Sequence, residues 1–171
     1  MSHGQRLYAD ESFASREAPF PLLSAAEAGD ATTVTSLLAD GADINLRSPE
    51  GWSPLIMAAK EGHTELLAEL LKAGAAVNPP DVSHTALRGA AIFGRETCVR
   101  ALLEAAADPN ALSAGGKTPL MGAVMNNHAE TVRILLKAGA RLDLTNEFGE
   151  TAAALAEAKG HTACLAALQE T

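Results

Sequence analysis

Five histidines, two cysteines and one glycine-rich lysine loop are the residues of this chain whose types could do chemistry. Histidine serves as acid, base or metal ligand near neutral pH, so His3, His63, His84, His128 and His161 come first. Three of them stand in one local phrase, "EGH", "NNH" and "KGH", ending at His63, His128 and His161. If that phrase marks one place in a stacked unit, neighbours in the column lie about 10 Å apart, near the spacing of packed helices. That is too far to share a metal ion or a substrate proton, so the three are expected to be structural, each hydrogen-bonding a nearby loop. Cys98 and Cys164 have no metal-ligand spacing and are expected to be reduced thiols in the core. The stretch "SAGGKTP" offers Gly115, Gly116, Lys117 and Thr118 but lacks the upstream glycine of a phosphate-binding loop. No nucleophile elbow, ligand cluster or paired acid motif occurs. The reading is a chain with no catalytic residues, no cofactor and no metal.

What must position such residues is visible in the spacing. Gly29, Gly62, Gly94, Asn127 and Gly160 are separated by 33, 32, 33 and 33 residues. Eight and nine residues after each comes a leucine pair, from Leu37 and Leu38 to Leu135 and Leu136; the last copy gives Leu168 and then the polar Gln169. A fixed period of this length means an array of stacked units.

Each unit has a physical reading. Ser53, Thr85, Thr118 and Thr151 supply a hydroxyl at a helix N-cap, and Pro54 and Pro119 occupy the first helical position, where a missing N–H costs nothing. The short helix that begins there stops at the glycine or asparagine, because a left-handed C-cap favours those two residues. A second helix follows, with apolar residues such as Leu66, Leu67, Leu70 and Leu71 on one face, ending at Gly41, Gly74 or Gly139. A protruding loop with its own glycine, at Gly51, Gly116 or Gly149, leads to the next unit. Isolated helices under about 12 residues are marginal in water, so the units must bury their leucines on one another.

The phrases "SPLIMAAKEGH" and "TPLMGAVMNNH" resemble the ankyrin-repeat signature T-P-L-H-x-A-A-x-x-G-H, and "LLKAGAAVN" resembles its second-helix ending. The resemblance covers residues 20–171 in five copies, the first and last acting as caps, with 1–19 as a flexible N-terminal segment. It implies an all-α solenoid of stacked helix-turn-helix repeats with protruding β-hairpin-like loops. Three departures follow. The signature histidine is replaced by Leu23, Ile56, Arg88, Met121 and Ala154, so packing is expected to substitute for its inter-repeat hydrogen bonds. Ala106 stands where other copies have glycine, and the loop "NPPDVSHT" is one residue short and stiffened by Pro79 and Pro80. Gly89 and Gly122 sit inside first helices at a cost of about 1 kcal/mol each, which close approach between repeats or to a ligand would explain.

Charge and composition narrow the partner class. At a net charge of -8, a sequence-independent grip on phosphate backbones or anionic membranes is not expected. No apolar stretch reaches the roughly 20 residues of a membrane span, and the start lacks the apolar core of a signal peptide. The expectation is a soluble, monomeric, cytoplasmic or nuclear protein. In the ankyrin-repeat family, partners contact loop tips and the exposed face of the first helices, which form a concave groove. The transferred columns contain Trp52, His84 and Lys117 before the N-caps and Ile92, Phe93 and Met125 before the cap residues; Arg88, Phe148 and Val82 are secondary candidates. Aromatics make up only 4 % of the chain, so the lone Trp52 at a loop tip stands out. Two readings stay open: an interaction patch, or Ile92 and Phe93 folded back and Trp52 packed on the neighbouring loop. The function read from this is a protein-binding adaptor or scaffold, with a stoichiometric enzyme regulator or inhibitor as the alternative.

Two further expectations rest on single segments. Leu37, Asp43, Ile44 and Asn45 resemble the pattern hydroxylated at asparagine in many ankyrin-repeat proteins, although Asn45 is first a turn former; Asn78 and Asn110 fit it less well. The polar N-terminal segment is expected to cover the first repeat's edge partly through Phe13, Phe20 and Pro21, and Gln169 and Glu170 to close the other edge, so that both ends read as finished.

Overall fold

The structure, a computed structural model, describes residues 20–80 and 83–170. The 1–19 segment with Phe13, and Val82 in the shortened loop, lie outside the described residues. Pro21 opens the first helix rather than belonging to a covering strand of chain, and Phe20 is its N-cap residue.

Among the described residues the chain forms ten α-helices in five antiparallel pairs and no extended strand. They are α1 (Pro21–Ala28) with α2 (Ala31–Ala39), α3 (Pro54–Glu61) with α4 (Thr64–Lys72), and α5 (Ala86–Ile92) with α6 (Glu96–Glu104). The array continues with α7 (Pro119–Met125) and α8 (Ala129–Lys137), then α9 (Ala152–Lys159) and α10 (Thr162–Gln169). In the second to fifth repeats the first helix starts at a side-chain cap of the expected kind. The hydroxyls of Ser53, Thr85, Thr118 and Thr151 accept from the backbone N–H three residues on, at 3.1–3.3 Å. The first helices all stop at a left-handed residue: φ is +72° at Gly29, +85° at Gly62, +61° at Gly94, +60° at Asn127 and +68° at Gly160.

First helices α1, α3, α5, α7 and α9 stack side by side in chain order. Their contact faces are built of alanines with no solvent exposure, including Ala58, Ala59, Ala90, Ala91 and Ala123, and such small side chains let the helices approach closely. Second helices α4, α6, α8 and α10 form the other layer, with Leu67, Leu102 and Leu135 fully buried beneath them. The first repeat is looser. Its α2 is rich in threonine and serine and buries only Val34. A groove of about 690 Å³, lined by Val34, Leu38, Leu66 and Leu70, separates α2 from α4. Cys98 and Cys164 are buried free thiols, as expected.

Between pairs the chain runs out into fingers. Backbone hydrogen bonds close them from Ser48 N–H to Trp52 O, Ser113 N–H to Lys117 O and Asn146 N–H to Glu150 O. In the fourth repeat the closure registers as one antiparallel bridge. Fingers also join each other, Ala114 N–H donating to Ser83 O and Glu147 N–H to Gly115 O. Below them an asparagine ladder links successive turns. Asn45 Oδ1 accepts from Ala76 N–H, Asn78 Oδ1 from Asp108 N–H and Asn110 Oδ1 from Arg141 N–H, at 2.8–2.9 Å. Asn78 and Asn110 also donate Nδ2–H to Ala106 O and Gly139 O.

Ala106 does adopt the left-handed conformation, at φ +62°, where Gly41, Gly74 and Gly139 relax to between +91° and +93°. A Cβ costs about 1–2 kcal/mol there, part of which glycine returns through unfolded-chain entropy. Ala106→Gly is expected to stabilise the protein by about 0.5–1 kcal/mol, read as a higher midpoint in thermal or urea unfolding. An unchanged or lower midpoint would sink the claim.

Candidate functional site

The histidine column proves to be a set of clamps. Carbonyls in the last turn of a helix lack an intrahelical partner, and each clamp supplies one to the preceding repeat. His63 Nε2–H donates to Glu27 O at 2.8 Å, and His128 Nε2–H to Ile92 O at 3.0 Å. The partners are thus helix-end carbonyls rather than the expected loops. In the third repeat Arg95 does the same work, its Nε–H reaching Lys60 O at 3.1 Å; the shared position after the cap glycine was the signal for it. The rings lie directly over the cap glycines, so that a Cβ on Gly29 or Gly94 would meet His63 or His128 at 2.6 or 2.5 Å. Where Asn127 replaces glycine, His161 turns to its other nitrogen and donates Nδ1–H to Val124 O, at 2.7 Å. These histidines are occupied in holding the array together. Among the described residues no group of three or more His, Cys, Asp or Glu could hold a metal ion.

The signature-histidine positions diverge from expectation. Leu23, Ile56 and Met121 are buried, so packing does substitute there. Ala154 is exposed and substitutes for nothing. Arg88 is half-buried on α5, and its Nε is sealed from solvent with no hydrogen-bond partner.

The face formed by first helices and fingers collects the remaining candidates. Trp52 is half-buried and stacks on His84 of the next finger, ring centroids 4.0 Å apart and 4° from parallel. Lys60 Nζ sits 5.8 Å from the same indole ring, within cation–π reach. Its carboxylate partners Glu61 and Glu27, at 2.8 and 3.4 Å, raise the Lys60 pKa. Burial, then the positive charges of Arg88 and Arg47, push His84 below the ordinary imidazole value, which keeps its ring neutral at pH 7. Arg47, which no spacing singled out, donates Nη1–H to Gly51 O. Lys117 is half-buried at the base of its finger.

The apolar candidates separate by exposure. Ile92, for which exposure and folding back were both open, is half-buried because Gly122 has no Cβ: a methyl there would lie 3.0 Å from Ile92 Cγ1 and 3.5 Å from Arg88 Cγ. Packing between the third and fourth repeats thus accounts for Gly122. Gly89 faces Ile56 and Lys60 at 3.7–3.8 Å, ordinary contact that an alanine would also make. Phe93 and Met125 remain exposed, at 46 % and 39 %, and Phe148 stands out at a fingertip at 74 %. Leu112, on the finger between α6 and α7, is exposed as well and was missed, since a single leucine in a loop carries no periodic signal.

Comparison with known proteins accords with this architecture. A family description of three tandem ankyrin repeats matches residues 22–113 and again 109–171. The human "Ankyrin repeat domain-containing protein 63" is 38 % identical over 88 residues, 49 % of this chain and 23 % of that protein. "Protein fem-1 homolog CG6966" of Drosophila melanogaster is 48 % identical over 60 residues, 34 % of this chain and 9 % of its own. "Dauer abnormal formation protein 25" of Caenorhabditis elegans is 37 % identical over 83 residues, covering 48 % and 21 %. The chain spans less than a quarter of the length of these relatives. With the family pattern matched along nearly the whole array and five helix pairs clamped in register, the chain belongs to the ankyrin-repeat family.

Proposed function

We propose that this chain is a non-catalytic interaction module that binds a protein partner through the face made by its first helices and fingers. Ankyrin repeats generally mediate protein–protein interaction. The observation that carries the finer reading is the exposure of Phe93 and Met125 at first-helix ends, together with the half-buried Trp52–His84 stack on the fingers. The corresponding pairs in the other repeats are Glu27 and Ala28, Lys60 and Glu61, and Ala158 and Lys159, charged or small residues rather than large apolar ones. Apolar exposure of this kind marks interaction surfaces, and tryptophan is prominent among binding hot spots. The module acts as a monomer in the cytoplasm or nucleus, as adaptor, scaffold or regulator of its partner. Asn45, exposed in its turn, is the proposed hydroxylation site, and mass spectrometry of its peptide would reveal one added oxygen atom.

The test is affinity capture from native lysate with wild type and a Trp52→Ala, Phe93→Ala double variant, each shown to be folded by circular dichroism. A partner retained by wild type and lost by the double variant is the expected result. Identical captures would place binding elsewhere.

A further inference from the structure

Among the described residues the cationic side chains are paired, tied to a backbone carbonyl or, at Lys72, Lys117, Lys137 and Lys159, unpaired with an ammonium that is not sealed from solvent; Arg88 alone has a nitrogen both sealed from solvent and unpartnered. Lys60 pairs with Glu27 and Glu61, Arg100 with Glu130, Arg133 with Glu130 and Glu170, and Arg141 with Asp143. Arg95 clamps a helix end. Arg88 has none of this: among the described residues no carboxylate pairs with it, its Nε is buried and unpartnered, and its terminal nitrogens make no hydrogen bond. Half-burying a guanidinium without a partner is unfavourable, and a chain carrying 21 acidic residues had ample means to supply one. Its surroundings are also specific. The Arg88 stem packs near Gly122 of α7, whose added Cβ would lie 3.5 Å from Arg88 Cγ, while His84 stacks on Trp52 close enough to feel the charges of Arg88 and Arg47.

We infer that Arg88, with His84 and Arg47 beside it, is the seat for one carboxylate, an aspartate or glutamate side chain that a protein partner projects next to the Trp52–His84 stack. The inference rests on the proposed interaction face and adds the chemistry of what enters it. One free planar fork suits one carboxylate, which it can hold through two parallel hydrogen bonds. Arg47 is tied to Gly51 O and adds charge rather than a second fork. Trp52 borders the seat and is the chain's only tryptophan, so its fluorescence and its indole N–H resonance report on this place alone.

The probes are an oligoglutamate peptide, its oligoglutamine counterpart and a serine-phosphorylated peptide of equal length, each titrated against wild type, Arg88→Gln and Arg88→Met while the Trp52 signals are followed. The expected result is saturable, salt-sensitive binding of oligoglutamate to wild type, weakened about tenfold or more in both variants, with the thermal midpoint of Arg88→Met unchanged or raised. Because the whole chain is strongly acidic, diffuse attraction of a polyanion cannot produce this result. No saturable change in wild type, equal binding of oligoglutamine, undiminished binding by the variants, or a lowered Arg88→Met midpoint would each overturn the assignment. Tighter binding of the phosphorylated peptide would overturn the carboxylate as ligand. Lysate capture separates the two proposals: a partner kept by Arg88→Gln but lost by the Trp52, Phe93 double variant removes the carboxylate seat and leaves the interaction face standing.

Discussion

Gly94→Ala is expected to cost about 2–4 kcal/mol, far more than one methyl group on a surface turn would suggest. Two effects add. Backbone at φ +61° carries a penalty of about 1–2 kcal/mol for any Cβ. The new methyl would also stand 2.5 Å from His128 Nδ1 and 2.8 Å from Cε1, so the ring must leave. With it goes the 3.0 Å bond to Ile92 O, worth about 1 kcal/mol or more because a helix-end carbonyl loses its partner. Gly160→Ala is the matched control: φ is +68°, and its added Cβ would meet nothing within 4 Å. Only the backbone penalty of about 1–2 kcal/mol applies there. Urea unfolding of the two variants separates the terms, and a His128→Ala, Gly94→Ala cycle isolates the clash, since removing the ring first should shrink the cost of the methyl. Equal losses at Gly94 and Gly160 would show that the ring moves freely and that the clamp contributes nothing.

Leu102→Ala is expected to cost about 2–5 kcal/mol. Leu102 has no solvent exposure and sits in α6, with α4 on one side and α8 on the other. In a quasi-one-dimensional stack a central cavity weakens both flanking interfaces at once. Leu38 provides the comparison: it is half-buried and borders the groove beside α4, where surrounding atoms are already missing. Leu38→Ala should therefore cost under about 1.5 kcal/mol. Unfolding midpoints for the pair would test this, and a larger loss at Leu38 would mean that the first repeat contributes more to the stack than its packing indicates.

Those two predictions draw on different kinds of information, and the contrast shows what was legible beforehand. Helix starts, stops and buried leucines could be read because each depends on neighbours within a few residues: a hydroxyl three residues before an N–H, or a glycine where φ turns positive. The period then supplied the stacking. Contacts between repeats were harder. The sequence leaves open whether Ile92 is exposed or folded back, and whether Gly122 serves repeat packing or a ligand; each explains the other, but only once α5 lies against α7. Trp52 facing His84, Arg95 standing in for a histidine, and Arg88 left without a partner likewise depend on which side chains meet across about one period of chain. A pattern of residue types along the sequence carries the register of such meetings, not their geometry.

The asparagine ladder has a chemical consequence besides its mechanical one. Asparagine ages when the backbone nitrogen of the following residue attacks its side-chain amide, expelling ammonia and leaving a carboxylate. After Asn78 comes Pro79, whose nitrogen has no hydrogen to lose. After Asn45 and Asn110 come Leu46 and Ala111, whose N–H groups are held by Asp43 O and Asp108 O. In the two lower rungs a new carboxylate would confront the carbonyls of Ala106 and Gly139, to which the amides now donate. The turns that align the rungs therefore also withhold the nucleophile that would spoil them, giving the ladder a slow clock as well as a fixed shape.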